Sequence, residues 1–493
     1  MNRQPRWLIV GAGLSGLALA FELKCLQAKI DLTIIESANR AGGKIWTEEQ
    51  EGFRFEWGPN GFLDSKPSTI DLCKKLGIDG ALIPASEGAR KYRYVHWRDT
   101  IQVLPNSLFS FLNSPLLSWR SKWRLLTEKY RHSVATSNDE SVYEFAVRRT
   151  NKEIADLFAD LMVTGIHAGD PKQLSVKAAF PRLYRWEKDF GSVMRGMNMN
   201  RQLRRKEARR QQTKLEPVRM WSFPTGLRFL VDQLTEKLAS SIQFGQIIQK
   251  IEKISPSAVA MKDSNSANYS DTEKKQPAPE NPTYRVEFSD GREQFFDGVV
   301  LTCPSYIQAD LLLSLDLELA KKLQEIVYNA IVVVVTGYDR GSIGSSFDGF
   351  GFISPQAQGG NILGTQWCSS IFTDRAPSGC VLYRTLCGGV ARPEIIEWSD
   401  EKLLETVHQE LARLMQIKEK PRFARIIRWP KAIPQYLLGH TQRNQQIQNL
   451  LKRHPNFYLS GNAFQGVAMN DCTENALTLA KQIEQDLLGQ TNN

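Results

Sequence analysis

The chain has 493 residues, of which 42% are hydrophobic and 24% charged, and its 63 Lys and Arg against 53 Asp and Glu give a formal net charge of +10. This length predicts two or three domains, and the composition excludes a disordered or fibrous protein. No apolar run of about 18 residues occurs, so we predict no transmembrane helix.

The excess of basic residues is compatible with nucleic acid, an anionic membrane surface or an acidic small molecule as partner. Nucleic acid ranks last, because no helix-turn-helix, zinc-finger or RNA-binding signature accompanies the charge. The seven cysteines are scattered without a C-x-x-C pair, and the six histidines form no cluster. We expect reduced thiols, no structural metal and a cytoplasmic protein, since the first predicted strand begins too soon to leave room for a cleavable signal peptide.

A glycine-rich loop follows the first predicted strand, residues 7–10. Gly11, Gly13 and Gly16 form a G-x-G-x-x-G pattern, and an apolar run typical of a helix follows at once. The first glycine permits a tight turn, the second a close approach of the backbone to a pyrophosphate, and the third close packing of the helix on the strand. The helix N-terminus adds unpaired N–H groups that favour phosphate.

A carboxylate ends the second predicted strand, residues 32–35. Glu36 lies 20 residues after Gly16, where it suits a ribose 2′-OH and repels a 2′-phosphate. NADP is therefore disfavoured, while NAD and FAD both stay open at this point.

An R-x-G-G pattern, Arg40 to Gly43, comes next and places a cation and a flexible backbone near the expected pyrophosphate. This pattern resembles that of the two-dinucleotide-fold flavoproteins, which include amine oxidases, carotenoid desaturases and protoporphyrinogen oxidases. In that group an E-x-G-P-like turn passes beside the flavin ring, and Glu56-Trp57-Gly58-Pro59 is similar to it.

From residue 104 to about 165 the pattern becomes helical. Apolar and aromatic residues up to Trp119 lead into a group of cations: Arg120, Lys122, Arg124, Lys129 and Arg131. Such a helix either lies in a membrane interface or faces the protein core, and the basic run 201–219 is either a solvated face or a lipid- or partner-facing patch. A further helix that starts at residues 138–139 carries a core-facing stripe through Leu161.

Residues 164–181 contain a more specific run, G-I-x-A-G-D-P-x-x-L-S followed by A-F-P. It resembles the protoporphyrinogen/coproporphyrinogen oxidase family, closest to its oxygen-dependent, FAD-containing members. Further matches to that family lie at residues 349–355, 363–365, 372–377 and 428–436. The resemblance covers nearly the whole chain.

Alternating or β-branched stretches predict strands at 91–95, 284–288, 296–304, 331–336, 350–355, 362–367 and 381–386. Residues 242–244 and 247–251 predict a β-hairpin, and the polar segment 262–283 predicts a flexible insertion. Near the C-terminus, Gly461-Asn462 and Gly466-Val467 again place a helix start after a strand. FAD needs this second approach and NAD in a simple dehydrogenase does not, so FAD is favoured.

The resemblance implies an α/β (mixed α+β) fold with a discontinuous Rossmann-like FAD-binding domain of p-hydroxybenzoate-hydroxylase type, a mixed-sheet substrate domain and a helical membrane-contact subdomain. The implied bounds are 1–88, 216–305 and 439–493 for the FAD-binding domain, 89–103 and 306–438 for the substrate domain, and 104–215 for the helical subdomain.

The resemblance also implies the reaction, the FAD-dependent oxidation of protoporphyrinogen IX to protoporphyrin IX with O2 as acceptor and H2O2 as product. Coproporphyrinogen III is the alternative substrate, and a flavin amine oxidase or carotenoid desaturase is the more distant alternative. No catalytic residue is expected, because flavin N5 receives the hydride and the cofactor carries the hard step. The implied partners are a peripheral membrane contact, a second copy of the chain and a ferrochelatase.

The implied substrate residues are Arg93, as a clamp on a propionate, Asn60, near flavin and substrate, and the ring-packing residues Ile353, Gln366 and Leu386. Gln366 departs from the apolar residue usual in the family. The implied residues for one non-covalent FAD are Gly11, Gly13, Leu14, Ser15, Gly16, Glu36, Ser37, Arg40, Gly42, Gly43, Lys44, Gly58, Pro59, Asn60, Ile248, Thr302, Gly461, Asn462, Gly466, Val467 and Ala468.

Overall fold

The structure is a computed structural model that describes residues 4–131, 138–210, 217–254, 284–344 and 348–491. The predicted insertion 262–283 and part of the basic run 201–219 lie outside the described residues.

Twenty strands are described. In chain order they are β1 (Arg6–Val10), β2 (Asp31–Ile35), β3 (Thr47–Gln50), β4 (Phe53–Glu56), β5 (Phe62–Leu63), β6 (Ile83–Pro84), β7 (Tyr94–Trp97), β8 (Thr100–Val103), β9 (Met220–Ser222), β10 (Ile242–Gln243), β11 (Ile248–Lys253), β12 (Tyr284–Phe288), β13 (Glu293–Phe296), β14 (Gly298–Leu301), β15 (Ile331–Asp339), β16 (Gly351–Ile353), β17 (Ile362–Trp367), β18 (Cys380–Gly388), β19 (Phe423–Trp429) and β20 (Phe457–Leu459).

The described α-helices are, in chain order, α1 (Leu14–Cys25), α2 (Ser68–Leu76), α3 (Glu87–Lys91), α4 (Leu108–Asn113), α5 (Trp119–Leu126), α6 (Val142–Arg149), α7 (Lys152–Ile154), α8 (Asp160–His167), α9 (Val176–Ala179), α10 (Pro181–Phe190), α11 (Val193–Arg210), α12 (Arg228–Lys237), α13 (Ser305–Leu312), α14 (Leu317–Gln324), α15 (Cys368–Ile371), α16 (Asp400–Met415), α17 (His440–Leu451) and α18 (Met469–Thr491).

A five-stranded parallel sheet in the order β10-β2-β1-β14-β20 joins the two ends of the chain. Its central strands are buried on both faces, which explains their uniformly apolar sequences. One face packs on α1 and α18 through Leu17, Ala476 and Ile483. The loop after β1 and the loop after β20 therefore share the carboxyl edge of one sheet.

A seven-stranded mixed sheet in the order β19-β15-β18-β17-β16-β7-β8 forms the second layer. Val332 and Val334 face α16, while Val333 and Val335 face Phe53 of β4. The expected mixed α/β architecture with two unlike sheets is thus confirmed.

The helical stretch differs from its prediction in two ways. Its second helix begins at Val142 because Ser141 caps it, whereas the Asp139 carboxylate accepts a hydrogen bond from Ser175 instead. The helix also stops at Arg149 and restarts after Asn151, which caps α7.

A buried carboxylate anchors the long helix α11. Glu128 accepts hydrogen bonds from the backbone N–H groups of Val193 and Met194, at 3.2 and 3.1 Å, and pairs with Arg149. Because a carboxylate at a helix N-terminus offsets the helix dipole, this contact fixes α11 to the turn at 128–130.

The predicted hairpin at 242–251 is wrong. Ile242 and Gln243 pair in parallel with β2, whereas β11 pairs with β12 in a separate three-stranded sheet. Both stretches alternate as strands do, but residues 242 and 243 pair with the otherwise open edge of β2 and not with β11. Likewise the predicted strand at 91–95 begins only at Tyr94, since α3 extends to Lys91.

No helix within the described ranges is long and apolar enough to cross a membrane.

Candidate functional site

The glycine loop after β1 is shaped by contacts that exclude side chains. A Cβ on Gly16 would lie 2.0 Å from the carbonyl oxygen of Gly11, so the helix can approach the strand only without one. At Gly13, by contrast, nothing lies within 4 Å of a Cβ, so the backbone is open on that side. The start of α1, at Leu14 and Ser15, has no side-chain cap and no acidic residue in its first turn. This uncapped helix end fits an anionic ligand such as a pyrophosphate.

Glu36 lies at the end of β2, next to this loop. Its carboxylate accepts hydrogen bonds from the backbone N–H of Ala12 at 2.8 Å and of Ala38 at 2.9 Å, and Ser37 donates to it at 3.4 Å. The two backbone donors hold the carboxylate in one orientation.

The R-x-G-G segment wraps around the same loop. Gly42 pairs with Gly13 in an isolated bridge, and a Cβ on Gly43 would contact the Gly13 Cα at 3.5 Å. The Arg40 guanidinium stacks over Trp46 at 4.4 Å and donates to the carbonyl of Gly43. Its guanidinium is therefore held against Trp46 and the backbone of Gly43.

The predicted FAD-binding residues from the two ends of the chain form one surface, here called the cradle. Its N-terminal and C-terminal parts meet at the ends of β1, β14 and β20. The Thr302 hydroxyl donates to the carbonyls of Val10 and Gly11, at 2.9 and 3.0 Å. A Cβ on Gly461 would lie 3.3 Å from the Thr302 carbonyl oxygen. The structure thus brings these predicted residues together although they are far apart in sequence.

The segment before α18 is held by backbone contacts as well. The Tyr436 hydroxyl donates to the Asn462 carbonyl at 2.5 Å, and the Ala468 N–H donates to the Asp471 carboxylate at 3.1 Å. Gly466 lies against that same carboxylate, and Val467 packs beside Tyr436. The helix itself begins at Met469, two residues after the predicted start.

Ile248 lies on β11, outside the five-stranded sheet, but it shares a buried cluster with Val10 and Ile35. Two residues earlier, the Gln246 N–H donates to the Glu36 carbonyl at 3.1 Å, which places this segment at the end of β2.

Lys44 connects the cradle to the chain after β19. Its ammonium group donates to the carbonyls of Lys431 and Ala432, and burial lowers its pKa to about 8. A Cβ on Gly58 would lie 2.1 Å from the Lys44 carbonyl oxygen, which explains a glycine in the E-x-G-P turn.

The turn from Glu56 through Pro59 to Asn60 lies between the two sheets. Asn60 is 5% exposed, and among the described residues its amide NH2 group has no hydrogen-bond partner, while its oxygen faces the Cys368 thiol at 3.9 Å. A buried amide donor without a partner is costly unless a ligand satisfies it. Burial raises the pKa of Cys368 to about 11, so the thiol stays neutral.

Arg384 on β18 clamps this turn. It is 4% exposed, donates to the Glu56 carbonyl at 3.0 Å and to the Gly58 carbonyl, and also binds the Gln366 side-chain oxygen at 2.9 Å. Sequence reasoning missed Arg384, although a lone cation inside the apolar stretch 381–386 was a signal for it.

Glu56 was predicted only as part of a turn, yet its carboxyl is 1% exposed and accepts hydrogen bonds from Thr47 and from the Leu227 N–H, both at 2.8 Å. Burial raises its pKa to about 7, against the lowering effect of those two bonds and of the Arg375 and Arg384 charges.

Three predicted substrate residues, Ile353, Gln366 and Leu386, lie on the adjoining strands β16, β17 and β18. Ile353 pairs across Gly364 with Leu386, and Gln366 lies two residues from Gly364 on the same face. Arg93 comes directly before β7, on the side of the sheet order away from β18. Its side chain is exposed, and its guanidinium lies 5.2 Å from the centre of the Phe350 ring. Arg384 joins this face to the turn that carries Asn60, so both groups of predicted residues meet at one place.

The sequence matches a family profile described as flavin containing amine oxidoreductase over residues 14–484. It is 30% identical to protoporphyrinogen oxidase 1, chloroplastic, of Arabidopsis thaliana over 97% of this chain and 87% of that protein. It is 27% identical to coproporphyrinogen III oxidase of Bacillus subtilis over 95% of each.

The fold is similar to the crystal structure of a protein from Exiguobacterium sp. 255-15, with a TM-score of 0.77 at 23% identity over 99% of this chain and 100% of that one.

Proposed function

The chain belongs to the family of flavin-containing amine oxidoreductases, and on this premise we propose that it oxidises a porphyrinogen to the porphyrin with O2 as acceptor. As a family member it is an oxidoreductase with FAD as cofactor. FAD would supply the two-electron acceptor, with O2 as the final acceptor and H2O2 as the product. The near full-length likeness to two porphyrinogen oxidases supports the choice of substrate class.

One structural observation carries the proposal: Arg384 fastens the Gly58 turn to the face of Ile353 and Leu386. An apolar face suited to a flat ring therefore adjoins the proposed FAD cradle. The protein's part is to bind and orient the two reactants at this junction.

We assign the pyrophosphate to the open backbone at Gly13 and the start of α1, and the ribose hydroxyls to Glu36. The unpaired Asn60 amide would donate to a cofactor or substrate atom bound at this turn. No general base is assigned, because the pyrrole N–H protons of a porphyrinogen can leave to water and the Cys368 thiol is held neutral.

The Arg93 guanidinium is assigned to a propionate of the substrate. It lies at the exposed end of the same face, which keeps a charged carboxylate near solvent while the ring is buried.

The test is to incubate the FAD-loaded protein with protoporphyrinogen IX or coproporphyrinogen III in air. Porphyrin fluorescence should rise, with three molecules of H2O2 for each porphyrin, above the rate without enzyme. Peroxide release from primary amines without porphyrin formation would instead identify an amine oxidase. A reduced flavin that never reoxidises in air would exclude an oxidase.

The exposed aromatic residues support a peripheral membrane contact, which is part of the proposal. Phe109, Trp119 and Trp123 are 79%, 68% and 70% exposed, and Arg120 and Arg124 beside them are exposed cations. Lys122, predicted with that group, is buried instead and donates to the Leu112 carbonyl. Aromatic side chains beside cations suit the interface of an anionic bilayer.

Vesicles of anionic and of neutral lipid test this contact in sedimentation. The double variant Trp119→Ala/Trp123→Ala should weaken binding to anionic vesicles several-fold. The control Tyr306→Ala, on α13 and outside this helical stretch, should not weaken it. Equal binding of the variant and the unchanged protein would refute the contact. The expected second copy and ferrochelatase partner are tested by light scattering and by pull-down.

A further inference from the structure

Four residues form one row across the second sheet. Gly351 pairs with Gln366, and Gln366 pairs with Arg384. Arg93 continues the row, because β16 and β7 run parallel with Phe352 opposite Tyr94 and the Phe350 N–H donates to the Tyr92 carbonyl. Side chains in one row leave the sheet on the same face. With three strand spacings of about 4.8 Å, the outer members Arg93 and Arg384 lie about 14 Å apart.

The middle of this face carries two glycines, Gly351 in the row and Gly364 in the next one. Their φ angles of +124° and +154° are strained for other residues, and a Cβ would lie 2.0 Å from the Thr365 carbonyl oxygen or 2.5 Å from that of Phe352. No side chain can therefore rise there. The polar side chains of the row therefore lie at its two ends, an arrangement that suits a ring with charged substituents.

Arg384 fixes the direction of the Gln366 amide. A guanidinium only donates hydrogen bonds, so the group it binds at 2.9 Å must be the amide oxygen of Gln366. The amide NH2 group is then turned away from Arg384. Gln366 is only half-buried, so this donor remains accessible from the face of the sheet.

The charge behind that amide is hydrogen-bonded to carbonyl and amide oxygens and not to a carboxylate. Within the described part of the chain the hydrogen-bond partners of Arg384, which is almost fully buried, are carbonyl and amide oxygens and include no carboxylate. The nearest acid, Glu56, turns its carboxyl to Thr47 and Leu227 and offers Arg384 only its main-chain carbonyl. A buried cation whose partners are neutral oxygens makes its surroundings favourable for an anion.

We propose that Gln366, oriented by Arg384, donates to a substrate carboxylate and thereby makes the site selective for a porphyrinogen with four carboxylates over one with two. This inference rests on the proposed function. Coproporphyrinogen has propionates where protoporphyrinogen has two vinyl groups. An apolar vinyl group would leave the Gln366 N–H groups unpaired on binding, whereas a propionate accepts from them. Gln366 is thus a specificity-determining residue, and Arg384 is a positioning residue that acts through it.

The test compares kcat/KM for coproporphyrinogen III and protoporphyrinogen IX in the unchanged protein and in Gln366→Leu. We expect the unchanged protein to favour the tetracarboxylate by about tenfold, and Gln366→Leu to lose most of that ratio through KM. Gln409→Leu, an exposed glutamine on α16 behind the other face, serves as the control and should keep the ratio. No preference in the unchanged protein, or an equal effect of Gln366→Leu on both substrates, would overturn the inference.

Gln366→Glu is the second variant, and its carboxylate would pair with Arg384, so folding should be preserved. It should repel a substrate carboxylate and lower the ratio further than Gln366→Leu does. Arg384→Lys should shift the ratio in the same direction through KM, with weaker quenching of coproporphyrin fluorescence on binding. A change in kcat alone, equal for both substrates, would assign Arg384 a purely structural role.

The two proposals fail separately. If the FAD-loaded protein oxidises neither porphyrinogen, the proposed function is wrong. If it oxidises both but prefers the dicarboxylate, only the role of Gln366 is wrong.

Discussion

The two ends of the candidate site are built by different means. At the cofactor end, the loop after β1 offers backbone N–H groups and glycines, and few side chains take part. At the substrate end, the side chains of Arg384 on β18, Gln366 on β17 and Arg93 just before β7 define the surface. A site formed by the backbone tolerates almost no added atom. In a site formed by side chains, a single substitution can change the binding of the ligand without disrupting the fold. Variants at the two ends should therefore differ in kind as well as in size.

The largest effect is expected at Gly16. In Gly16→Ala the new methyl group would lie 2.0 Å from a backbone oxygen, so α1 must leave the loop. We expect loss of FAD and a destabilisation above about 4 kcal/mol, measured by flavin absorbance and thermal unfolding.

Gly80→Ala, in an open exposed turn, is the control and should behave like the unchanged protein. In Gly13→Ala the chain should fold but bind FAD at least about tenfold more weakly, since the methyl group occupies only the open side. Normal FAD affinity in Gly13→Ala would contradict the assignment of that space.

Glu56, between the two ends, predicts a pH dependence of stability. Its pKa is raised to about 7 in the folded chain, above the ordinary value of 4.5 when unfolded. The unfolded chain releases this proton first, so the contribution of Glu56 to stability is fully present below pH 4.5 and is lost as the pH rises to about 7. One unit of pKa shift corresponds to about 1.4 kcal/mol, so the loss amounts to roughly 3 kcal/mol.

Glu56→Gln should remove this contribution and make denaturant unfolding less steep in pH between 4.5 and 7, relative to Glu51→Gln at an exposed turn. Identical pH profiles for Glu56→Gln and the unchanged protein would show that the carboxyl titrates normally.

Arg384→Met should have the next largest effect. It leaves the Glu56 and Gly58 carbonyls without their donor, which costs about 2 kcal/mol in the free energy of unfolding. Flavin content should fall less than in Gly16→Ala, because the glycine loop is untouched. A variant as stable as the unchanged protein would mean that the clamp is dispensable.

The smallest effect is expected at the exposed end of the row. Arg93→Ala should raise KM for porphyrinogen about tenfold, with FAD content intact, because one charge-assisted contact is lost. Arg98→Ala, beyond the end of β7, is the matched control. Unchanged steady-state kinetics in Arg93→Ala would remove it from the site.

The contrast between the two ends also explains what could be predicted. The strand, glycine loop and helix at residues 7–25 are local, and their spacing is dictated by one turn, so sequence alone located them. The pairing of β10 could not be predicted, because alternation shows that a segment is a strand but not which edge receives it. The start of α6 could not be predicted either. Ser141 caps this helix, and the Asp139 carboxylate accepts hydrogen bonds from Ser175 and Gly439, which are distant in sequence.

The amino-acid sequence by itself determined the dinucleotide loop, the preference for FAD and, through its resemblance, the porphyrinogen oxidase group. Those signals are short stretches in which each residue acts on its near neighbours. Only the tertiary structure decided that Arg384, which binds Gln366 on the neighbouring strand, also meets the Gly58 turn, since the latter contacts join segments more than 300 residues apart. Hydrogen bonds between such distant segments have no periodicity in sequence, and they depend on how the two sheets pack.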